Sequence, residues 1–169
     1  AVDVATNNGA TPLHIAAVNG HKQLAEALLA RGAAVDARDI HGRTPLHIAA
    51  LNGHKDLAEA LLARGAAVDA ATNDGLTPLF IAAEKGHKSL AEALLARGAA
   101  VDAAANTGAT PLYIAAQHGH QSLAEALLAR GAALDAATNI GATPLHIAAE
   151  KGHKSLAEAL LARGAAVDA

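Results

Sequence analysis

The residues with the most versatile chemistry in this chain are its ten histidines. An imidazole can bind zinc, act as a general base or satisfy a backbone group by hydrogen bonding. Half of them recur at one position, 33 residues apart: His21, His54, His87, His120 and His153. Packed helices lie about 8 to 10 Å apart, whereas each zinc ligand lies about 2.1 Å from its metal, so such a ladder cannot form one zinc site. We expect these histidines to hydrogen bond in turns between helices.

Two other sets of residues could suggest metal binding or catalysis. His118 and His120 flank a glycine and could chelate a metal adventitiously. Ser89, Ser122 and Ser155 each precede a glutamate by three residues, a spacing that predicts helix-start hydrogen bonding rather than nucleophilic attack. No nucleophile, base and orienting group can be assembled from the spacing, and the glycines form no phosphate-binding loop. We therefore expect a non-enzymatic protein with no catalytic residue, no metal site and no cofactor.

The unit that must position these residues is an internal repeat. The segment Thr-Pro-Leu-(His/Phe/Tyr)-Ile-Ala-Ala begins at Thr11, Thr44, Thr77, Thr110 and Thr143. This period predicts a single domain, residues 1–169, made of five repeats at 5–37, 38–70, 71–103, 104–136 and 137–169, with no specialised terminal caps visible. A stack of small units offers a long continuous surface and seldom encloses a reaction chamber. The period therefore favours a binding protein.

Each repeat is predicted to contain two short helices and a turn. Thr44 followed by Pro45 indicates a helix start, and Gly53 closes that helix. From Lys55, apolar residues at three- and four-residue spacing predict a second helix, which ends at Gly65. Helices this short are marginal in water by themselves, so stacking of the repeats is obligatory and should give a thermostable array.

Composition argues against several partners. The 13 Lys and Arg residues against 16 Asp and Glu give a net charge of -3, which disfavours nucleic acid. Every apolar run is interrupted, so no membrane helix is expected. The absence of cysteine fits a reducing compartment or bacterial expression, and no targeting peptide is visible. We expect a cytoplasmic protein by default, obtained by recombinant expression.

The repeat resembles a known family closely. Gly-x-Thr-Pro-Leu-His-x-Ala-Ala-x-x-Gly-His, followed by Leu-Ala-Glu-x-Leu-Leu-x-x-Gly-Ala, is similar to the ankyrin repeat across essentially the whole chain. The resemblance implies an all-α solenoid with short β-hairpins, built from five stacked helix-turn-helix repeats, that binds partners through hairpin tips and first helices on its concave side. The chain departs from the family where an Asn is usual near the hairpin, having instead Asp36, Asp69, Asp102, Asp135 and Asp168.

The five repeats differ from one another in only a few places. The segment Leu-Ala-Glu-Ala-Leu-Leu-Ala-Arg-Gly-Ala-Ala is identical five times, so we interpret the second helix as scaffold. Differences collect around the turn glycine and just after the Ala-Ala pair. The resemblance places these positions at the surface that binds partners. We expect the partner-binding residues to be Ile40, His41, Arg43, Leu51, Asn52, Asp74, Leu76, Phe80, Glu84, Lys85, Thr107, Tyr113, Gln117, His118 and Ile140.

Several of these residues break the polar pattern of a solvated turn. Arg43 could offer a partner a bidentate or stacking contact. Phe80 and Tyr113 replace the histidine of the other three repeats and could form one shared apolar patch, although the position could also simply tolerate a ring. Exposed single aliphatic residues are ordinary, but these fall on the surface that varies: Ile40, Leu51, Leu76 and Ile140.

Three hypotheses about function remain open. A fixed framework with localised differences looks closest to designed consensus ankyrin repeat proteins, which favours an engineered binder of a folded protein. The second is a target-free scaffold for repeat stability or self-assembly, because end faces without polar caps favour end-to-end self-association. The third is a natural ankyrin adaptor or bacterial effector.

Overall fold

The computed structural model of the protein describes residues 1–168, which contain ten α-helices arranged as five pairs. Each predicted repeat holds one pair. The helices are α1 (Pro12–Asn19), α2 (Lys22–Ala30), α3 (Pro45–Asn52), α4 (Lys55–Ala63), α5 (Pro78–Lys85), α6 (Lys88–Ala96), α7 (Pro111–Gln117), α8 (Gln121–Ala129), α9 (Pro144–Lys151) and α10 (Lys154–Ala162). No strand occurs among residues 1–168, so the expected β-hairpins are not confirmed and the connections are hydrogen-bonded loops.

The first helix of each pair begins and ends as the sequence predicts. In the second repeat Thr44 is the extended N-cap residue, its side chain accepts from the backbone N–H of His47, and Pro45 occupies the first helical position. The His47 ring returns the interaction, because its Nδ1 accepts from the backbone N–H of Thr44 at 3.0 Å. Histidine thus takes the place that Glu or Gln holds in the usual capping box. Gly53 ends the helix at φ +73°, a left-handed conformation that glycine adopts at little cost.

The second helix begins differently, and the predicted role of the serines is wrong. Ser89 is the second residue of α6, whereas a capping hydroxyl must come from the non-helical residue before the first turn. That residue is His87, and its side chain makes no capping hydrogen bond. Ser122 and Ser155 hold the same place in α8 and α10.

Packing between repeats creates the core. Each first helix contacts the second helix of its own repeat and the first helix of the next repeat. The layers are filled by fully buried leucines such as Leu46, Leu57 and Leu61, while buried Ala49 and Ala50 let the helices approach closely. One apolar cluster therefore runs the length of the stack.

Polar groups reinforce the same interfaces. The histidines between the helices do hydrogen bond there as expected, but they reach across to the preceding repeat: His54 Nε2 lies 3.1 Å from the carbonyl oxygen of Val18. The aspartates that replace the usual asparagine also join neighbouring repeats by hydrogen bonds. The carboxylate of Asp36 accepts from the backbone N–H of Ala67 at 3.0 Å. Asp3, Asp69, Asp102 and Asp135 make the equivalent contact.

The outer faces of the first and last repeats have no such neighbour among residues 1–168. Ile15 is 48% exposed, whereas its equivalent Ile48 is 5% exposed. Leu24 is likewise exposed although its equivalents in the other four repeats are buried, and Leu161 is exposed at the opposite end. Both end faces are therefore apolar.

The capping histidine predicts a pH dependence of stability. Burial lowers the pKa of the His47 ring, outweighing the hydrogen bond with Leu76 that raises it. The unfolded ring has its ordinary pKa of about 6.5, so below that pH the unfolded chain takes up a proton that the folded ring resists. This contribution to the free energy of unfolding should be fully present above about pH 6.5 and should decrease as the pH falls.

The variant H47Q isolates this contribution, because glutamine can complete the capping box but does not titrate. Denaturant unfolding across the acid range should show a shallower loss of stability for H47Q than for the unmodified chain. The exposed His41 provides the control, and H41Q should keep the original slope. Parallel curves for H47Q and the unmodified chain would contradict this assignment.

Candidate binding surface

The loop tips form one continuous rim along the stack. In the third repeat two backbone hydrogen bonds close the loop. The N–H of Thr72 donates to the carbonyl of Leu76, and the N–H of Gly75 donates to the carbonyl of Thr72. The tip then bonds to the preceding tip, because the N–H of Asn73 donates to the carbonyl of His41 at 3.0 Å. The same bond joins every successive pair of tips: Ile40 to Asn8, Asn106 to Asp74, and Asn139 to Thr107. The rim therefore holds the variable side chains in fixed relative positions.

Asparagine side chains add a second set of bonds that sequence reasoning missed. Nδ2 of Asn73 donates to the carbonyl of Ile40 at 3.0 Å, and Asn106 and Asn139 repeat this bond one and two loops further on. Their recurrence at 33-residue spacing was the available signal. Ile40 stands at this position in the second repeat, where it cannot donate such a bond and is 58% exposed.

Arg43 is already engaged within its own loop. The Asp39 carboxylate is buried and accepts from the backbone N–H groups of His41 and Arg43, and from Nε of Arg43 at 2.7 Å. Nη2 of Arg43 lies 2.7 Å from the same carboxylate. Burial by itself raises the pKa of Asp39, but the hydrogen bonds from Arg43 hold it below the usual value. Arg43 thus makes a bidentate contact within its own loop, and its predicted contact with a partner remains a prediction.

The four aliphatic candidates fall into two groups. Ile140 is 89% exposed at the tip of the fifth loop, and Ile40 is also largely exposed. Leu51 and Leu76 are half-buried and pack against the core, so they present less apolar area to a partner. Asn52 is exposed, but its amide donates to the carbonyl of Ile48 within α3.

The structure brings five of the predicted residues into one groove. Phe80 and Tyr113 line it as the shared apolar patch that their adjacency indicated, and Ile140 stands at its edge. Phe80 is 5% exposed and Tyr113 is half-buried. The groove has a volume of about 420 Å³, and the remaining lining residues are Thr107, Ala109, Ile114, Gln117, Thr138 and Asn139.

The two aromatic residues remove hydrogen bonds that histidine makes elsewhere. In the first repeat His14 accepts from the N–H of Thr11, and its Nε2 lies 2.9 Å from the carbonyl of Arg43. Phe80 and Tyr113 have no ring nitrogen, so the buried Thr77 and Thr110 lose this acceptor for their backbone N–H groups. A buried donor without a partner costs about 1 to 3 kcal/mol. The groove is therefore built at the expense of the framework's own bonding.

The charged residues near the groove are few. Burial raises the pKa of the Tyr113 phenol, and the negative charge of Glu150 raises it further. Lys85 lies 3.7 Å from the carboxylate of Glu84, next to it in α5.

The remaining predicted residues lie outside the groove. Asp74 and His41 stand exposed on the rim, and His118 stacks on His120 with ring centroids 5.9 Å apart. Within residues 1–168 no group of three or more histidine, aspartate or glutamate side chains could hold a metal ion.

Comparison with known families agrees with this architecture. A family model for ankyrin repeats, described as three copies, matches residues 1–72, 33–105, 61–138 and 101–169, which together cover the chain. The protein belongs to the ankyrin repeat family, whose members are generally non-enzymatic scaffolds for protein–protein interaction. A comparison with curated proteins gives no significant match. In the described residues no helix has the length and apolar character needed to cross a membrane.

The pKa of Tyr113 reports directly on the groove, because this is the only tyrosine of the chain. The variant E150Q removes the negative charge near the phenol and should lower the pKa of Tyr113 towards its ordinary value, leaving the part due to burial. Alkaline titration of the phenolate absorbance measures it. The variant E158Q on the exposed face of α10 makes the same charge change at a distance and should leave the titration unaltered. Identical curves for E150Q and the unmodified chain would show that Glu150 does not face the groove.

Proposed function

We propose that the protein is a non-enzymatic binding scaffold that recognises a folded protein through its loop tips and first helices. One observation carries the proposal. Phe80 and Tyr113 lack the hydrogen bonds that histidine makes at this position in other repeats, and together they line an apolar groove. Residues that depart from the hydrogen bonding of a repeated framework are typical of functional sites. Exposed Ile140 adds an apolar side chain to the same groove, as aromatic and aliphatic anchors do in protein interfaces.

We further propose that the array is an engineered one, made by varying a consensus framework. The support is internal: eleven consecutive residues are identical in all five repeats, whereas the differences lie at the rim and the ends of the first helices. Mutational drift would have altered the outer helices at least as readily, because most surface substitutions there have little effect on stability.

The double variant F80H/Y113H separates recognition from folding. It restores the residue that the framework uses at this position, so it should bind a partner at least tenfold more weakly, as expected when anchor residues are lost. Its thermal midpoint should not fall, because two buried N–H groups and two carbonyls regain a hydrogen-bonding partner. Immobilised protein and quantitative mass spectrometry of the captured proteins would identify the partner, and calorimetry would give both values.

The control is the variant K88Q, at an exposed position of the second helix of the third repeat, α6. This variant should bind the partner as the unmodified chain does. Retention of full affinity by F80H/Y113H would contradict the proposed site. Loss of affinity together with a lower thermal midpoint would show that the aromatic residues are needed for folding rather than for recognition.

A second candidate, favoured by the apolar end faces, is self-association of the 169-residue chain. In repeats two to five, the residues equivalent to Ile15 and Leu24 are buried in the stack. In the first repeat Ile15 and Leu24 are exposed to solvent. The last repeat exposes the complementary side of that interface at Leu145, His146 and Leu161. Two copies can therefore pack end to end by the contacts that already join repeats within one chain.

Sedimentation velocity over a wide concentration range tests this association. We expect oligomers to grow with concentration and the variant I15K/L24K to remain a monomer, because a buried lysine without a partner is unfavourable at such an interface. The variant K22Q, at an exposed position of α2, is the control and should associate normally. A strict monomer at high concentration would eliminate this candidate.

A further inference from the structure

The groove around Tyr113 has two aromatic rings in its lining and a carboxylate near it, and both features favour a cation. All nine residues that line it are uncharged. The faces of the Phe80 and Tyr113 rings are the negative side of the aromatic quadrupole. The carboxylate of Glu150 lies close enough for the phenol to respond to it.

The backbone carbonyls that histidines contact in other repeats are a second source of hydrogen-bond acceptors. The carbonyls of Arg43 and Leu76 each accept from the histidine of the preceding repeat, at 2.9 Å in both cases. The equivalent carbonyls of the next two repeats belong to Ala109 and Ala142, because Phe80 and Tyr113 stand where the framework has histidine. Of these two alanines, only Ala109 lines the groove. Each of the two carbonyls accepts one bond within its loop and has a second lone pair that no ring nitrogen uses.

The groove therefore combines two aromatic rings with the polar side chains of Thr107, Gln117, Thr138 and Asn139. Cations are attracted to aromatic faces within about 6 Å of the ring centroid. Among cationic side chains, only that of arginine combines a planar group that stacks on a ring with five N–H donors in a fixed fork. Its methylene stem can also cover apolar surface while its head remains polar.

We propose that this groove binds an arginine side chain of the partner protein, with the guanidinium stacked on the Tyr113 ring and directed towards Glu150. The methylene stem then lies between Phe80 and Ile140, and polar side chains of the lining such as that of Gln117 accept from the guanidinium N–H groups. This inference rests on the proposed function, since it specifies which side chain the protein-binding surface selects.

The neighbouring lysines do not oppose this assignment. Lys85 is paired with Glu84 on its own helix. Lys151 follows Glu150 in the last turn of α9, but the phenol responds to the charge of Glu150. A cation in the groove therefore meets the negative charge of Glu150 beside an aromatic ring.

Short peptides test the proposal on the full chain. The probe is acetyl-Gly-Ser-Arg-Ser-Gly-amide, and its matched control replaces arginine by citrulline, which has nearly the same shape without the charge. Because Tyr113 is the only tyrosine and the chain has no tryptophan, its fluorescence reports binding at this groove alone. The arginine peptide should cause a saturable change, and the citrulline peptide should bind about fivefold or more weakly, the factor expected from loss of a cation–π contact.

Two further comparisons define the contacts. The variant E150Q should weaken binding of the arginine peptide and remove most of its salt dependence, whereas E158Q on α10 should change neither. A lysine peptide should bind more weakly than the arginine peptide because an ammonium group cannot stack as a plane. The variant Y113H has no tyrosine fluorescence, so its binding is followed by NMR through the backbone amide resonance of Ile140. This variant should not bind the arginine peptide.

Three results would overturn the assignment: equal binding of the arginine and citrulline peptides, equal binding of the lysine peptide, or no saturable response. If F80H/Y113H nevertheless loses its protein partner, the binding function stands and only the arginine assignment fails. If that double variant keeps its partner while the arginine peptide binds to the unmodified chain, the groove accepts arginine outside the interface, and both the proposed site and the partner's arginine are ruled out.

Discussion

Packing between neighbouring repeats is the interaction on which everything else in this protein depends. Helices of seven to nine residues are too short to persist alone in water, so each becomes stable only when its apolar side is covered by neighbouring helices. Leucines fill the layers, and bonds such as those of His54 and Asp36 join each interface at fixed points. Because every interface uses the same contacts, the stack stays regular where individual residues change.

That regularity separates stability from recognition. The second helices are identical from their third residue onward and contribute much of the packing, while most of the variation lies at exposed or half-buried positions. The aromatic residues are the exception, since Phe80 is buried and still departs from the framework. A site that lacks two hydrogen bonds can persist here because the interfaces between the first three repeats keep the histidine bonds, and the leucine layers run through the whole stack. Stability that is distributed along the array thus permits a local loss.

Much of this structure could be predicted from the sequence because its signals are local and repeated five times. Helix starts at Thr44-Pro45, the closing Gly53 and the adjacency of Phe80 and Tyr113 all followed from spacing. Other features depend on what lies 29 to 36 residues away. The carbonyl partner of His54 is one of these, because it lies in the preceding repeat. The pairing of Arg43 with Asp39 spans only four residues but depends on how the loop folds, which side-chain types alone do not define. The prediction for the serines was wrong because helix α6 begins two residues earlier than a cap at Ser89 requires.

The bonds between loop tips have a wider consequence. They join main-chain groups, such as the N–H of Asn73 and the carbonyl of His41, and so do not depend on which side chains the tips carry. The side chains of the tips can therefore be substituted one at a time while the spacing between the tips stays constant. A chain built in this way can acquire a new specificity through substitution alone, without redesign of its backbone.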